Sequence, residues 1–313
     1  MDELKLIKEI EKLFPAQKAK IGIGDDAAVI EAGDNFLLLT VDTIVEDVHF
    51  KKKWLSPLQL GRRSLIINIS DISAMGGVPI YGLVALNMGK FTDQEIEEFF
   101  RGIREQANIS GIEIIGGNIS SSDKFSAAIT LIGESGKPVT RSGAKPGELI
   151  VITGNIGDAA AGVQILLNGI RSEKWEKLVK AFTDPPVLTE EARKIGKFAS
   201  SMIDISDGLL IDLWRITQLS GCGAIVEVEN IPRSREFIDF SEKFPQLKNK
   251  IYWGGEDYQL LFTISPDRLK ELKSEWNFQT TLTIIGKTVP EKELLIQDRN
   301  GTRVVHISGW IHK

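Results

Sequence analysis

Residues 21–43 read IGIGDDAAVIEAGDNFLLLTVDT, and this stretch decides the fold class. Its two apolar segments, AAVIEA and NFLLLTVDT, have the composition of β-strands, and the turn GDN separates them. Acids stand at both ends of the predicted hairpin: Asp25 and Asp26 come before the first strand, and Asp42 ends the second. Adjacent side chains are expected to point in different directions, so at most one of Asp25 and Asp26 should serve a shared site.

Two later segments repeat the combination of apolar residues with acids. INISDISAM places Asp71 in an otherwise apolar helix, with Asn68 three residues earlier on the same face. SMIDISDGLLIDLW places Asp204 at the end of a strand, and Ser206 and Asp207 follow at the start of a helix. Asp207 also fits a helix N-cap, whereas Asp71 needs a partner because burial of an isolated carboxylate is costly.

Carboxylates that converge on one place repel each other, and a hard divalent cation resolves this repulsion. Mg²⁺ prefers oxygen ligands and commonly joins one or two carboxylates to substrate phosphates. The sequence has three histidines and one cysteine, without the spacing of a zinc site. The acids therefore predict a Mg²⁺ site that serves a polyphosphate substrate.

The composition excludes several other classes of protein. The chain has 313 residues, of which 42% are hydrophobic, which favours more than one domain. Its formal net charge is −5 without a basic run, so we expect no nucleic-acid partner. No apolar run approaches the ~20 residues that span a bilayer, and we expect no membrane association. The single cysteine, Cys222, excludes a disulfide framework, and a cytoplasmic location is expected.

The sequence contains no G-x-x-x-x-G-K-[ST] phosphate loop. The segment IIGKT at residues 284–288 comes nearest, but Thr281 occupies the position of the first glycine. GIGDDA at residues 22–27 imitates a dinucleotide fingerprint, yet a strand follows where that fingerprint requires a helix. A nucleotide would therefore depend on metal ions for the binding of its phosphates.

The predicted elements indicate an α/β (α+β) protein of two domains. The first half follows the order β-β-α-β-α-β-β, with Ser56 and Pro57 as the start of its first long helix after the hairpin. Residues 133–148 are rich in glycine, proline and lysine, which is typical of a boundary between domains. We place the domains at residues 1–136 and 137–313.

Six motifs in order give the chain a resemblance to a known family. They are GIGDDAAV, LLLTVDTIVEDVHF, NISDISAMGG, TRSGAKPGE, IDISDGL and WGGEDYQLLF. The chain resembles the thiamine-monophosphate kinases, which belong to the superfamily of aminoimidazole ribonucleotide synthetase and selenophosphate synthetase. The histidine after VDTIVEDV and the block GGEDYQL favour the thiamine member. The reactive cysteine or selenocysteine expected near the N-terminus of a selenophosphate synthetase is not present.

The resemblance implies a fold and a reaction. The N-terminal domain would bind ATP and Mg²⁺, and its sheet would join that of a second copy to form a barrel across a homodimer. A C-terminal α/β domain would pack beside it, with ATP in the cleft. The implied reaction converts ATP and thiamine monophosphate to ADP and thiamine diphosphate. We expect direct in-line transfer without a phosphoenzyme, because a phosphate acceptor is already ionised at neutral pH.

The resemblance also implies roles for individual residues. The expected Mg²⁺ ligands are Asp26, Thr40, the Val41 carbonyl, Asp42, Asp71, Asp204 and Asp207, and Asp42, Asp71 and Asp204 are the expected catalytic residues. The expected ATP-side residues are Gly117, Asn118, Arg141 and Ser206. The expected residues on the side of thiamine monophosphate are His49, Glu256 and Trp310.

The sequence departs from the family pattern at residues 116–118, where it has GGN in place of GGD. Asn118 can still offer a carbonyl oxygen to Mg²⁺ but adds no charge, so it remains a candidate metal ligand. Two alternatives therefore stay open. One is an ATP-dependent ligase of the same superfamily, and the other is a non-catalytic protein that binds Mg²⁺ and a nucleotide.

Overall fold

A computed structural model describes residues 3–305 of the chain. These residues form two sheets, each with its own helices, and so make up two α/β units. This confirms the predicted fold class. Trp310, which the resemblance placed on the substrate side, lies outside the described residues, as do His306 and His312. Among residues 3–305, no helix combines the length and the hydropathy that crossing a bilayer requires.

The N-terminal half contributes one sheet of five strands. Its elements, in chain order, are α1 (Glu3–Leu13), β1 (Ala28–Ala32), β2 (Asn35–Val45), α2 (Pro57–Ala74), β3 (Val78–Met88), α3 (Asp93–Ser110), β4 (Glu113–Ser120) and β5 (Phe125–Ser135). After the first helix, this order matches the predicted β-β-α-β-α-β-β. The strand order in the sheet is β1-β2-β5-β3-β4, and among the described residues β3 and β4 pair in parallel while the other neighbours are antiparallel.

The C-terminal half begins after the glycine- and proline-rich connection at residues 136–148. Its elements are β6 (Leu149–Thr153), α4 (Asp158–Leu167), α5 (Glu176–Thr183), α6 (Thr189–Gly196), β7 (Ser201–Asp204), α7 (Leu209–Ser220), β8 (Gly223–Glu227), α8 (Arg235–Lys243), α9 (Lys248–Tyr252), β9 (Leu260–Ile264), α10 (Pro266–Ser274), β10 (Leu282–Val289), β11 (Leu294–Asp298) and β12 (Gly301–Val304). Within the described residues, the strands of this half form one sheet in the order β12-β11-β8-β10-β6-β9-β7.

The opening hairpin forms as the sequence predicts, with one difference in length. Val29 pairs with Leu38, and both side chains are fully buried. The second strand does not end at Asp42, because Thr43, Ile44 and Val45 continue to pair with β5. Asp42 therefore lies inside β2 rather than at its end.

The two faces of the N-terminal sheet differ in what covers them. On the face that we call the helix face, Thr40 and Asp42 stand opposite the buried Leu131 and Ile129 of β5, and α2 packs against this face. The opposite face, which we call the open face, carries exposed apolar side chains. They are Ile30, Val41, Tyr81 and Leu83, which are 38–59% exposed.

Helix α2 lies between the two halves of the molecule. Its start has a capping box in which the Ser56 side chain accepts from the Gln59 N–H, and Pro57 occupies the first helical position. Most of its 18 residues are buried, because β2 and β5 pack on one side and α6 and β7 on the other. Side chains of α2 can therefore act on residues of both halves.

Candidate active site

A cleft of about 1620 Å³ lies between the two halves. Strand β2, helix α2 and the turns around residues 141, 206 and 256 contribute to its walls. Most of the residues that the resemblance singled out line this one cleft. They are Asp26, Thr40, Val41, Asp42, His49, Asp71, Arg141, Ser206, Asp207 and Glu256.

Three carboxylates meet at the cleft, and we call them the carboxylate cluster: Asp26 and Asp71, which line the cleft, and the buried Asp204 beside them. One oxygen from each lies within 4.8 Å of those of the other two. Asp26 comes from the turn before β1, Asp71 from α2 and Asp204 from the end of β7. The cluster therefore joins acids from both halves of the chain.

The negative charges of the carboxylate cluster repel one another. Burial raises the pKa of Asp71 well above its ordinary value, and the nearby Asp42, Asp204 and Asp26 raise it further. Burial likewise raises the pKa of Asp204, and Asp26 adds to the shift. Asp26 Oδ2 is buried and has no hydrogen-bond partner among the described residues. The three carboxylates carry like charges, their oxygens converge, and Asp26 Oδ2 has no partner among the described residues. This arrangement fits a hard divalent cation.

Neighbouring polar side chains fix the direction of these acids. Thr40 Oγ1 donates a hydrogen bond of 2.6 Å to Asp71 Oδ2, and Ser70 Oγ donates one of 2.6 Å to Asp204 Oδ2. Asn68 Oδ1 accepts from the N–H of Asp42 at 2.8 Å. Thr40 and Asp42 thus stand beside Asp71, and α2 holds acids on both of its sides.

Asp25 and Asp26 bind different groups of the same residue, Arg141. The side chain of Arg141 donates to Asp26 Oδ1 at 2.5 and 3.1 Å, while its backbone N–H donates to both oxygens of Asp25 at 3.2 Å. Burial and the adjacent Asp26 raise the pKa of Asp25 to about 7. Arg141 therefore brings a positive charge to the edge of the carboxylate cluster.

Asp207 lies in the cleft wall but outside the carboxylate cluster. Its Oδ2 accepts from Arg215 Nη2 at 2.5 Å. It is not the N-cap of α7, which is Gly208; instead Asp212 Oδ2 accepts from the N–H groups of Asp207 and Gly208. Burial raises the pKa of Asp212 to about 7. The local sequence DGLLIDLWR contains both Asp212 and Arg215, but their pairing with Asp207 is a property of the folded turn.

Two of the residues expected on the substrate side, His49 and Glu256, line the same cleft as Arg141. The N–H of Val45 donates to His49 Nδ1 at 3.0 Å, so a neutral His49 ring carries its proton on Nε2. Glu256 lies in the connection between α9 and β9, with a positive φ of 74°. Ser206 shares this region, because its carbonyl accepts from the N–H of Glu256.

Gly117 and Asn118 lie apart from the carboxylate cluster within the chain. Both belong to β4, which is three strands away from β2, or roughly 14 Å at the usual strand spacing. Asn118 pairs with Ala85 and so shares the open face, whereas Asp42 lies on the helix face. Their predicted roles toward ATP and Mg²⁺ stay predictions.

Three comparisons with known proteins bear on this site. The models of the AIR synthase related protein match the chain at residues 24–135 for the N-terminal domain and at residues 145–298 for the C-terminal domain. A thiamine-monophosphate kinase of Aquifex aeolicus (strain VF5) is 33% identical over 320 residues, which cover 100% of this chain and 98% of that protein. The thiamine-monophosphate kinase of Bacillus subtilis (strain 168) is 36% identical, with coverages of 88% and 87%.

A solved structure, AaThiL complexed with AMPPCP and TMP, has the same fold. Its TM-score against this chain is 0.89 at 32% identity, and the match covers 100% of this chain and 97% of AaThiL. The similarity thus extends over both sheets and over the cleft between them.

Proposed function

Because this chain belongs to the thiamine-monophosphate kinases among the AIR synthase related proteins, we infer that it transfers the γ-phosphoryl group of ATP to thiamine monophosphate. The products are ADP and thiamine diphosphate. The observation that carries this inference is the meeting of Asp26, Asp71 and Asp204 beside one cleft, which Arg141 and Glu256 also line. The related AaThiL complex contains an ATP analogue and TMP, which is consistent with two phosphate ligands in such a cleft.

The reacting groups are both anions, so the main task of the site is to bring them together. Phosphoryl transfer depends mostly on positioning and on stabilisation of charge. Arg141 supplies a fixed positive charge at the ATP side, and His49 lines the same cleft, where we expect it on the acceptor side. The acceptor phosphate is ionised at neutral pH, so transfer proceeds directly and in line without a protein base.

The carboxylate cluster with Asp42 and Thr40 would hold Mg²⁺, and Asp207 and the Val41 carbonyl border the same cleft. When bound, Mg²⁺ would neutralise part of the charge of the two phosphate ligands and orient them toward each other. Thr40 and Ser70 keep the acids oriented for this purpose through their hydrogen bonds to Asp71 and Asp204.

We propose a homodimer in which the open faces of two N-terminal sheets meet and form a barrel. The exposed apolar side chains of Val41, Tyr81 and Leu83 support this proposal, because burial of a contiguous apolar patch favours association. Asn118 cannot reach the carboxylate cluster of its own chain from the open face. In a homodimer it would instead face the second copy. We further propose domains at residues 1–136 and 137–313 and a cytoplasmic location.

The function is tested by release of ADP from ATP with three acceptors: thiamine monophosphate, free thiamine and aminoimidazole precursors. We expect turnover with thiamine monophosphate alone, and its loss when Mg²⁺ is omitted. Turnover with free thiamine but not with its phosphate would refute the acceptor. Turnover with an aminoimidazole precursor would favour the ligase, and tight ATP binding without turnover would favour a non-catalytic protein.

A further inference from the structure

Arg63 is a buried arginine that no step of the proposed reaction has yet used. It lies on α2 and is 2% exposed, which is rare for a charged side chain without partners. Its guanidinium carbon lies 4.2 Å from the ring centre of Phe182 and 5.6 Å from that of Tyr258. Nη1 donates to the carbonyl of Phe182, and Nη2 donates to Glu256 Oε2. The guanidinium of Arg63 thus lies close to two aromatic rings, and one of its nitrogens binds Glu256.

Glu256 receives a second hydrogen bond on the same oxygen. The hydroxyl of Tyr258 donates to Oε2 at 3.0 Å. Burial and the charge of Glu256 raise the pKa of Tyr258 well above its ordinary value, so its hydroxyl stays protonated and remains a donor. Both donors found within residues 3–305 act on Oε2, and Glu256 lines the cleft with a side chain that is 29% exposed. Oε1 is therefore the oxygen available to a ligand.

The backbone around Glu256 has an unusual and well-supported conformation. Glu256 and Tyr258 have φ values of 74° and 49°, a region that non-glycine residues adopt at a cost. The N–H groups of these two residues donate to the carbonyls of Ser206 and Ile205. A Cβ at Gly255 would lie 2.0 Å from the Ser206 carbonyl, so only glycine permits this close approach. Strain of this kind persists where the surroundings fix the geometry, and it frequently marks functional sites.

Helix α2 connects this wall of the cleft to the carboxylate cluster. Arg63, Ile67 and Asp71 follow each other at intervals of four residues, and all three line the cleft. Arg63 and Asp71 are separated by roughly 12 Å along the helix at 1.5 Å per residue. One rigid element thus sets the distance between the phosphate end of the site and Glu256.

We propose that Arg63 is a positioning residue, which together with Tyr258 holds one oxygen of Glu256 and directs the other at a hydrogen-bond donor on the heterocyclic part of the acceptor. This proposal rests on the proposed function and adds residues that set the specificity for the acceptor. The amino group of a pyrimidine ring is a donor of the required kind. Arg63 neutralises part of the charge of Glu256 but leaves its free oxygen as an acceptor.

The proposal is tested by steady-state kinetics of Arg63→Gln, Arg63→Lys and Tyr258→Phe. We expect Arg63→Gln to raise KM for thiamine monophosphate by about 10- to 100-fold and Tyr258→Phe by about 5-fold, from the usual strengths of charged and neutral hydrogen bonds. KM for ATP should change by less than about 2-fold, since the cluster side keeps its contacts. Arg63→Lys, which keeps the charge but not the fork, should recover part of the loss.

A double-mutant cycle with Glu256→Gln separates positioning from a general structural role. Because Arg63 acts through Glu256, Arg63→Gln in the Glu256→Gln background should raise KM for the acceptor by less than about 3-fold further. Arg62→Gln is the matched control. Arg62 is the adjacent arginine on α2. Its Nη2 lies 3.2 Å from Asp184 Oδ1, and Asp184 is its ion-pair partner in place of Glu256. Its substitution should leave KM for the acceptor unchanged.

The outcomes of the cycle are distinct from those of the function assay. If the wild type does not phosphorylate thiamine monophosphate, the proposed function and this proposal both fail. If the wild type is active and the effects of Arg63→Gln and Glu256→Gln on KM multiply, the positioning role alone is wrong. Equal increases in KM for ATP and for the acceptor would also overturn it. Tyr258→Phe removes a single hydroxyl and tests the same prediction even if Arg63→Gln does not fold.

Discussion

Asp71→Asn is expected to lower kcat by about 10³-fold or more while the protein stays folded, because several kcal/mol of charge stabilisation depend on a bound metal. Asp71 lies centrally in the carboxylate cluster, and its oxygens face Asp26, Asp204 and the hydroxyl of Thr40. Asparagine keeps the size of the side chain and one carbonyl oxygen. It removes the charge that makes the cluster attractive to a divalent cation.

The stability of this variant distinguishes a metal ligand from a structural aspartate. Without metal, Asp71→Asn removes one of three buried negative charges that repel one another. The melting temperature of the variant should therefore equal or exceed that of the wild type. The pKa of Asp71 is raised, so the folded state favours its protonated form, and its cost to stability grows as pH rises above the ordinary aspartate value of about 3.9. The gain from Asp71→Asn should therefore be larger at pH 8 than at pH 5. The increase in melting temperature that Mg²⁺ produces in the wild type should be lost.

Asp212→Asn is the matched control for this experiment. Asp212 is equally an aspartate of the interior, but Arg215 and two backbone N–H groups satisfy its oxygens. Its substitution should leave intact the increase in melting temperature that Mg²⁺ produces. A variant Asp71→Asn that melts early without metal and still responds to Mg²⁺ would show that Asp71 is a structural residue.

Leu83→Glu is expected to produce a monomer and to lower kcat/KM by about 100-fold. Leu83 lies on the open face of the N-terminal sheet with 38% exposure, where a carboxylate would oppose burial against a second copy. Activity should fall with the dimer because Gly117 and Asn118 lie on β4, away from the cluster of their own chain. The expected size of the loss follows from the removal of one preorganised donor at a charge-stabilising site, which costs about 10²- to 10³-fold in kcat.

Light scattering during gel filtration and assays at several protein concentrations test this prediction. Ile109→Glu is the control, because Ile109 is 69% exposed near the end of α3 on the other side of the sheet. It should change neither the mass nor the activity. A fully active monomer of Leu83→Glu would show that one chain is sufficient and that Gly117 and Asn118 have no role across a dimer.

Local patterns in the sequence predicted much of the fold and part of the site. The hairpin of β1 and β2 follows from two apolar segments around a turn, and the start of α2 follows from Ser56 and Pro57. Asp71 stood out because an acid within an apolar helix requires a partner. Each of these signals acts within a few residues of chain, which is the range over which sequence patterns are informative.

Contacts between distant segments could not be predicted in this way. The bond between Arg63 and Glu256 joins residues 193 positions apart, and no local pattern marks Arg63 as anything but a helix residue. Ser70 likewise shows its role only when β7 brings Asp204 beside it. The side of the sheet on which Asn118 lies depends on its register with β3, which a bulge between Gly82 and Leu83 shifts.

The most direct measurement is anomalous diffraction from crystals that contain Mn²⁺ in place of Mg²⁺, together with a non-hydrolysable ATP analogue and thiamine monophosphate. An anomalous peak is expected within about 2.5 Å of carboxylate oxygens from at least two members of the trio Asp26, Asp71 and Asp204, and in contact with a phosphate oxygen. The same peak should vanish in Asp71→Asn. Manganese found only on the phosphates or elsewhere on the surface, with these three acids left without metal, would contradict the account.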